Sequence, residues 1–196
     1  MEALARKKSS IVGVDLALAA VKMTKMKSRE ANLEDAEVIR ADGLELCFAN
    51  DAFEIVICAD VVEHVDNELS FLDELRRVLM PGGSLLITAP ANMMLWSQLD
   101  EEVGHRRRYD LRGMRTMLHR SGFVSIHVRY WNSILFPLML IYRRLLNPGF
   151  EGELKAARGF NPILYRVLKS EEHVHLPFGA SVVAIAQKPR LGDRHR

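Results

Sequence analysis

The chain lacks the cysteine pattern of a disulfide framework or a zinc finger. Only two of its 196 residues are cysteines, Cys47 and Cys58, and they show neither CxxC spacing nor a histidine cluster beside them. Disulfide-rich domains and cysteine-based zinc sites depend on such patterns. We therefore expect no metal site and no disulfide, and a reducing cytoplasmic setting.

Long apolar runs and strong net charge are also missing. The most apolar stretch, 131–142, contains Pro137, and it is much shorter than the roughly 20 residues that span a membrane. The first ten residues contain no apolar core of a secretory signal. With a net charge of +2 and 48% hydrophobic residues, the composition is that of an ordinary globular protein. We expect one domain over residues 1–196.

Short apolar runs alternate with helix-forming segments, which predicts an α/β fold. The expected architecture is a Rossmann-like, doubly wound, mostly parallel sheet with helices on both faces. The strands are predicted at Ile11–Leu16, Ala36–Ala41, Phe53–Ala59, Ser84–Ala89, Val124–Tyr130 and Ala180–Ala186. The helices are predicted at Ala17–Ser28, Asn67–Met80 and Asp110–Ser121. The third strand is nearly all apolar and is expected to be covered on both faces.

Residues 131–178 interrupt this alternation and form an expected helical insertion, or cap, before the last strand. Helical patches are predicted at Ser133–Leu146 and Pro162–Lys169. The first patch combines apolar residues with the basic pair Arg143-Arg144. It fits a helical cap buried on the sheet, but also a lid or a peripheral membrane contact over 131–146.

Acidic residues follow the first three predicted strands. Parallel α/β sheets bind ligands at the carboxyl ends of their strands, where an acid can accept hydrogen bonds from the hydroxyls of a ribose. Asp15, at the end of the first strand, fits that role, although it could simply cap the next helix. Asp42-Gly43 follows the second strand and is equally compatible with an ordinary turn. Asp60 follows the third strand.

The segment Phe53–Ala89, FEIVICADVVEHVDNELSFLDELRRVLMPGGSLLITA, closely resembles the central block of class I S-adenosylmethionine-dependent methyltransferases of the type 11 kind. The elements GVD, AD, EHV and LMPGGSLLIT occur in the family's order and spacing. The resemblance implies methyl transfer from S-adenosylmethionine to a small-molecule, lipid or saccharide acceptor. It also implies a set of cofactor-binding residues: Asp15, Leu16, Asp42, Gly43, Asp60 and Val61.

The resemblance also indicates which residues face the acceptor. In the family the loop after the third strand lines the cofactor, so His64 becomes a candidate general base. Residues 104–109, GHRRRY, resemble a GHxRRY element found in part of the family. His105 is a second catalytic candidate there, and Arg107 and Tyr109 are candidates for substrate binding. We expect no nucleic-acid partner, because the basic cluster lacks interleaved aromatic residues apart from Tyr109.

One family feature is missing from the sequence. A glycine-rich GxGxG loop should precede the first strand, but only ten residues stand before IVGVD, so we expect an N-terminally truncated sheet. Either the true start lies upstream, or the chain is a catalytically inactive interaction module or membrane-peripheral relative. Placing the family's first strand at IVGVDLALAA is a weaker alternative, and an NAD-dependent dehydrogenase is weaker still.

Overall fold

The computed structural model describes residues 11–33, 35–146 and 176–190, together with positions 149, 151, 171 and 192. The chain divides into two compact units, residues 1–49 and 50–196. The expectation of a single domain is not tested by this division and stays a prediction. The predicted helical patch at 162–169 lies outside the described residues.

The first unit is a strand–helix–strand motif. Its elements are β1 (Ile11–Asp15), α1 (Leu18–Glu30) and β2 (Ala36–Arg40). The two strands pair in parallel along their full length, and the helix connects them as the alternating pattern predicts. Because β1 ends at Asp15, this carboxylate lies at the carboxyl end of the small sheet.

The second unit contains β3 (Phe53–Ala59), α2 (Glu68–Val78), β4 (Leu79–Pro90), α3 (Gln98–Glu102), α4 (Leu111–Arg120), β5 (Val124–Trp131), α5 (Phe136–Leu146) and β6 (Ser181–Gln187). The strand order is β3-β4-β6-β5. β3 and β4 are parallel, whereas β6 runs antiparallel to both of its neighbours. The α/β fold class predicted from the sequence is confirmed.

The two faces of the larger sheet differ in burial. Cys58 of β3 pairs with Ile87 of β4, and both side chains are buried. Ile57 of β3 and Ile185 of β6 belong to the opposite face, and each is about half exposed, at 49% and 48%. Within the described part of the chain, β3 is therefore buried on one face only. The sequence had predicted that both of its faces would be covered.

The junction between α2 and β4 also differs from the prediction. The helix ends at Val78 rather than Met80, and β4 begins at the next residue, so Pro81-Gly82-Gly83 lies inside the strand. The register slips there, because Phe53 pairs with Leu79 but Ile55 already pairs with Ser84. Gly82 has a φ of 80°, a conformation that glycine adopts without strain. The Pro-Gly-Gly sequence thus produces a bulge rather than a separate turn.

Helix α5 packs through one face and exposes the other. Phe136 joins a core cluster with Leu95 and Ala180, which supports the cap interpretation for that face. Leu138 and Leu145 are 65% and 78% exposed, so the outer face presents large apolar side chains beside the exposed Arg144. Among the described residues, no helix has the length and apolar character needed to cross a bilayer. Peripheral membrane contact through this segment stays a prediction.

The N-terminus of α4 gives a direct test of the local folding rules. The Asp110 carboxylate accepts a hydrogen bond from the N–H of Gly113 at 2.6 Å, which confirms the predicted helix cap. We expect Asp110→Ala to lower the free energy of unfolding by about 0.5–2 kcal/mol, because the first turn loses its acceptor. Asp110→Asn retains an acceptor and should stay near wild type. Urea unfolding of the three proteins measures this, and equal losses in both variants would contradict a capping role.

Candidate functional site

Two loops at the carboxyl ends of β3 and β4 are bonded to each other. The first contains a single 3-10 turn, Val62–His64, and the second runs from Pro90 through α3 to residue 110. The backbone N–H and side-chain Nε of Arg106 donate to the carbonyls of Glu63 and His64, both at 2.9 Å. His64 Nδ1 lies 3.2 Å from the carbonyl oxygen of Gly104. These bonds fix the catalytic candidates His64 and His105 against each other.

The Asp100 carboxylate is the centre of the second loop. It is fully buried and accepts hydrogen bonds from Arg108 Nε at 2.8 Å and Arg108 Nη2 at 3.0 Å. His105 Nδ1 lies 2.8 Å from the same carboxylate, and the N–H of Ser97 donates to it at 3.0 Å. Arg143 of α5 approaches it to 3.6 Å. A buried carboxylate needs such compensation, because an unpaired charge in the interior is costly.

The pKa of Asp100 shows which effect dominates. Burial alone would raise it, but the hydrogen bonds from Arg108 and His105 outweigh burial and leave the pKa below its usual value. Asp100 is therefore ionised at neutral pH, and the nitrogen of His105 that faces it must carry the proton. In the neutral imidazole, the other ring nitrogen of His105, Nε2, then keeps its lone pair.

Glu63 lies on the other side of His105. Its Oε1 is 3.8 Å from His105 Nε2, and its side chain is fully buried. Among the described residues, neither carboxylate oxygen of Glu63 has a hydrogen-bond partner. The pKa of Glu63 is raised to about 7, mainly by burial; the negative charge of Asp60 acts in the same direction, and Arg108 opposes it. Glu63 and His105 therefore form a close pair of ionisable side chains, of which Glu63 is fully buried and His105 partly buried.

The predicted substrate residues have internal partners. The Tyr109 hydroxyl donates to the Glu68 carboxylate, and burial together with this bond raises the pKa of Tyr109. Arg107 Nη1 lies 2.6 Å from Glu68 as well. Both residues also line a groove shared with Arg112 and Arg120 of α4. Their role in substrate binding stays a prediction.

The three adjacent arginines do not form one anion clamp. Arg106 pairs with Asp66, Arg107 with Glu68, and Arg108 with Asp100. The last pair is almost completely buried, with only 3% of the Arg108 side chain exposed. Arg108 is therefore a structural residue, whereas Arg106 is about half exposed.

The predicted cofactor residues follow strands in both units. In the first unit, Asp15 accepts from the N–H of Ala17 at 2.7 Å, and Leu16 beside it is exposed. Asp42 accepts from the N–H of Leu44 at 2.9 Å, so a local turn forms at Asp42-Gly43. These two hydrogen bonds are the local roles that were the alternatives to cofactor binding. Among the described residues, each bond uses only one oxygen of its carboxylate.

In the second unit, Asp60 follows β3 directly and has a φ of 51°, which is unusual for a residue other than glycine. Strained backbone of this kind is found preferentially at functional sites. The Thr88 hydroxyl donates to its carboxylate at 3.2 Å, and Val61 next to it is 40% exposed. Both residues lie at the edge of the sheet where ligands bind in α/β folds. Cofactor binding by the six residues of the two units stays a prediction.

The sequence did not predict the roles of the residues that organise this site, which are Glu63, Asp100, Arg108 and Arg143. A local signal existed for Asp100, because Ser97 three residues earlier forms a capping box with it. For Glu63, the only signal in the sequence was its position next to His64, a candidate general base. Arg143 was expected at an exposed basic edge, but it is buried and donates to the carbonyl of Leu95 at 2.9 Å.

Known proteins resemble both the sequence and the fold. Residues 1–87 match the family described as "Methyltransferase domain". The demethylmenaquinone methyltransferase of Listeria welshimeri is 31% identical over 91 residues, which cover 45% of this chain and 39% of that protein. Over its first 87 residues the chain is therefore similar to a methyltransferase domain.

Solved structures extend the likeness in fold to most of the chain. Haemonchus contortus phosphoethanolamine N-methyltransferase 2, in complex with S-adenosyl-L-methionine, superposes with a TM-score of 0.63 at 19% identity, covering 92% of this chain and 44% of that one. The [4+2]-cyclase SpnF gives 0.61 at 18% identity, covering 96% and 69%. The chain spans about two fifths of the length of the curated relative that it matches.

The buried Asp100–Arg108 pair predicts a specific stability change. Asp100→Asn should cost about 3–5 kcal/mol of unfolding free energy at neutral pH, because Arg108 would stay buried without a counter-charge. The exposed pair of Asp73 and Arg76, 3.3 Å apart, supplies the control: Asp73→Asn should cost about 1 kcal/mol or less. Urea unfolding at pH 7 measures both losses.

The same pair predicts the pH dependence. Since the folded pKa of Asp100 lies below its usual 3.8, the wild-type advantage over Asp100→Asn is complete above about pH 4 and shrinks as the pH falls through the lowered value. An advantage that stayed constant down to pH 2, or that shrank instead as the pH rose, would contradict the ionised buried pair.

Proposed function

We propose that the chain transfers a methyl group from S-adenosylmethionine to a small-molecule acceptor. The observation that carries the proposal is the methyltransferase-domain match over residues 1–87, a range that contains all six predicted cofactor residues. Asp15 and Asp60 stand at the carboxyl ends of β1 and β3, where acids bind ribose-containing cofactors. Methyl transfer requires mainly that the acceptor and the sulfonium be aligned, so a strong base is not essential.

The fold alone does not decide between catalysis and other uses. SpnF has the same fold and is named a cyclase, so similar architecture is compatible with a different reaction. A catalytically inactive interaction module is therefore the competing proposal. Cofactor binding distinguishes the two, because only the methyltransferase proposal requires S-adenosylmethionine at the strand ends.

Calorimetric titration with S-adenosylhomocysteine tests the cofactor proposal. We expect saturable binding to the chain, weakened about tenfold or more by Asp15→Asn, because a charge-assisted hydrogen bond to the ribose contributes about 1.5–3 kcal/mol. Asn retains an acceptor for the N–H of Ala17, so the local structure should persist.

Asp35→Asn is the matched control, since Asp35 is an exposed acid of the same unit that is not among the predicted residues. Its affinity should equal that of the wild type. Absence of binding in the wild type would favour the interaction module, and equal weakening by both substitutions would remove Asp15 from the cofactor site.

We further propose that the acceptor has an apolar part. The exposed outer face of α5 supports this, with Leu138 and Ile141 at 65% and 56% exposure. The relative from Listeria welshimeri is named a demethylmenaquinone methyltransferase, and a quinone-type acceptor would fit an apolar surface. Residues Arg107 and Tyr109 would then contact the polar end of the acceptor, and His64 and His105 would accept its proton.

Transfer of labelled methyl groups to a short-chain demethylnaphthoquinol and to phosphoethanolamine tests this choice. We expect the quinol to react faster, and Leu138→Gln to raise its KM about tenfold through lost apolar contact. Arg144→Gln changes an exposed residue of the same helix and should leave KM unchanged. Preference for phosphoethanolamine, or no effect of Leu138→Gln, would contradict an apolar acceptor contacting α5.

A further inference from the structure

Three side chains of the two bonded loops converge on one small volume: Glu63, His64 and His105. Each offers one potential ligand atom, and these atoms all lie within 4.8 Å of one another. The rings of His64 and His105 meet edge to face with centroids 4.9 Å apart. Glu63 is buried, His105 is partly buried and His64 is exposed, so the cluster is open to solvent on one side.

Both imidazoles are held in the tautomer that a metal ion requires. His64 Nδ1 faces the Gly104 carbonyl, and His105 Nδ1 faces the ionised Asp100 carboxylate. Because both partners can only accept, each Nδ1 carries a proton, and in the neutral imidazole each Nε2 keeps the lone pair that a metal ion would bind. Metal-binding histidines typically donate their second nitrogen to a carboxylate or a carbonyl in this way.

Glu63 supplies an independent observation. Its side chain is completely buried, yet both carboxylate oxygens are without a hydrogen-bond partner among the described residues. Buried carboxylates are normally hydrogen-bonded, paired or bound to a metal. The neighbouring His105 Nε2, 3.8 Å from Oε1, offers a lone pair rather than a proton when its Nδ1 is bonded to Asp100. Two acceptors facing each other leave room for a cation between them.

We propose that Glu63, His64 and His105 bind one divalent transition-metal ion of the Zn²⁺ class. Two imidazoles and one carboxylate form a three-ligand set that suits Zn²⁺ and leaves at least one coordination position open to water or another oxygen ligand. The set lies where β3 and β4 end, so the open position faces the ligand-binding edge of the sheet. The proposal does not depend on methyl transfer, and histidines that bind a metal ion through Nε2 would not act as proton acceptors.

The geometry requires only side-chain adjustment. Ligand atoms about 2.0–2.1 Å from a tetrahedral metal lie roughly 3.4 Å from each other. His105 Nε2 and Glu63 Oε1 are already 3.8 Å apart, so the exposed His64 ring makes the largest movement. The backbone of both loops is fixed by the Arg106 hydrogen bonds described above.

The charges around the cluster are compatible with a cation. Arg108 is neutralised by Asp100, and Arg106 is paired with Asp66 at the surface. Asp60 acts on Glu63 as a nearby negative charge. A metal ion would therefore balance acidic groups rather than be repelled by the arginines.

Titration of the untagged full chain with Co²⁺, after removal of metal by a chelator, tests the proposal. We expect one bound ion per chain, the visible absorption of Co²⁺ in a low-symmetry site with nitrogen ligands, and displacement by Zn²⁺. Glu63→Gln and His64→Gln should each weaken Co²⁺ binding by more than the 10–100-fold that loss of a second-shell partner typically costs.

His119→Gln is the matched control, because His119 is exposed on α4 and belongs to no cluster. It should bind Co²⁺ as the wild type does. Without metal, Glu63→Gln should melt at or above the wild-type temperature, since an unpartnered carboxylate is removed, which separates lost binding from lost folding. Substoichiometric binding in the wild type, or wild-type affinity for Co²⁺ in both Glu63→Gln and His64→Gln, would overturn the proposal.

Discussion

The ion pair of Asp100 and Arg108 holds the loop after β4 in place. Both side chains are almost completely excluded from water, and Asp100 also accepts from Ser97 and His105. Because both charges are buried, separating Asp100 from Arg108 would cost a large free energy. The pair therefore favours a single arrangement of the loop. This arrangement fixes the tautomer of His105 and sets it beside Glu63. The chemistry of the candidate site therefore depends on the buried ion pair of Asp100 and Arg108.

Much of the fold follows from local patterns in the sequence. Apolar runs and the helix cap at Asp110 predict the strands and α4 within a few residues, because they reflect short-range rules. The Pro-Gly-Gly segment falls between the predicted helix and strand, but in the structure it lies in a bulge of β4. The difference arises from pairing with β3, which continues β4 through these residues, and such pairing is invisible in local sequence. The sequence also predicted that Asp15, Asp42 and Asp60 follow strands. Their binding of a cofactor remains a proposal.

The candidate site was harder to predict because its key contacts join distant parts of the chain. Arg143 reaches the Asp100 carboxylate across more than forty residues, and Glu63 meets His105 across a similar interval. From sequence, Glu63 looked like the neighbour of a candidate base, and metal binding was judged only from cysteine spacing. Burial and the directions of hydrogen bonds give Glu63 and the two histidines their proposed role, and both come from tertiary structure.

The central claim is that S-adenosylmethionine binds at the carboxyl ends of the strands. Amide hydrogen exchange, measured with and without S-adenosylhomocysteine, tests it across the whole chain. The account predicts slower exchange in the segments that follow β1, β2 and β3, around Asp15, Asp42 and Asp60. Exchange that is unchanged by the ligand, or that slows only in segments away from these strand ends, would contradict it.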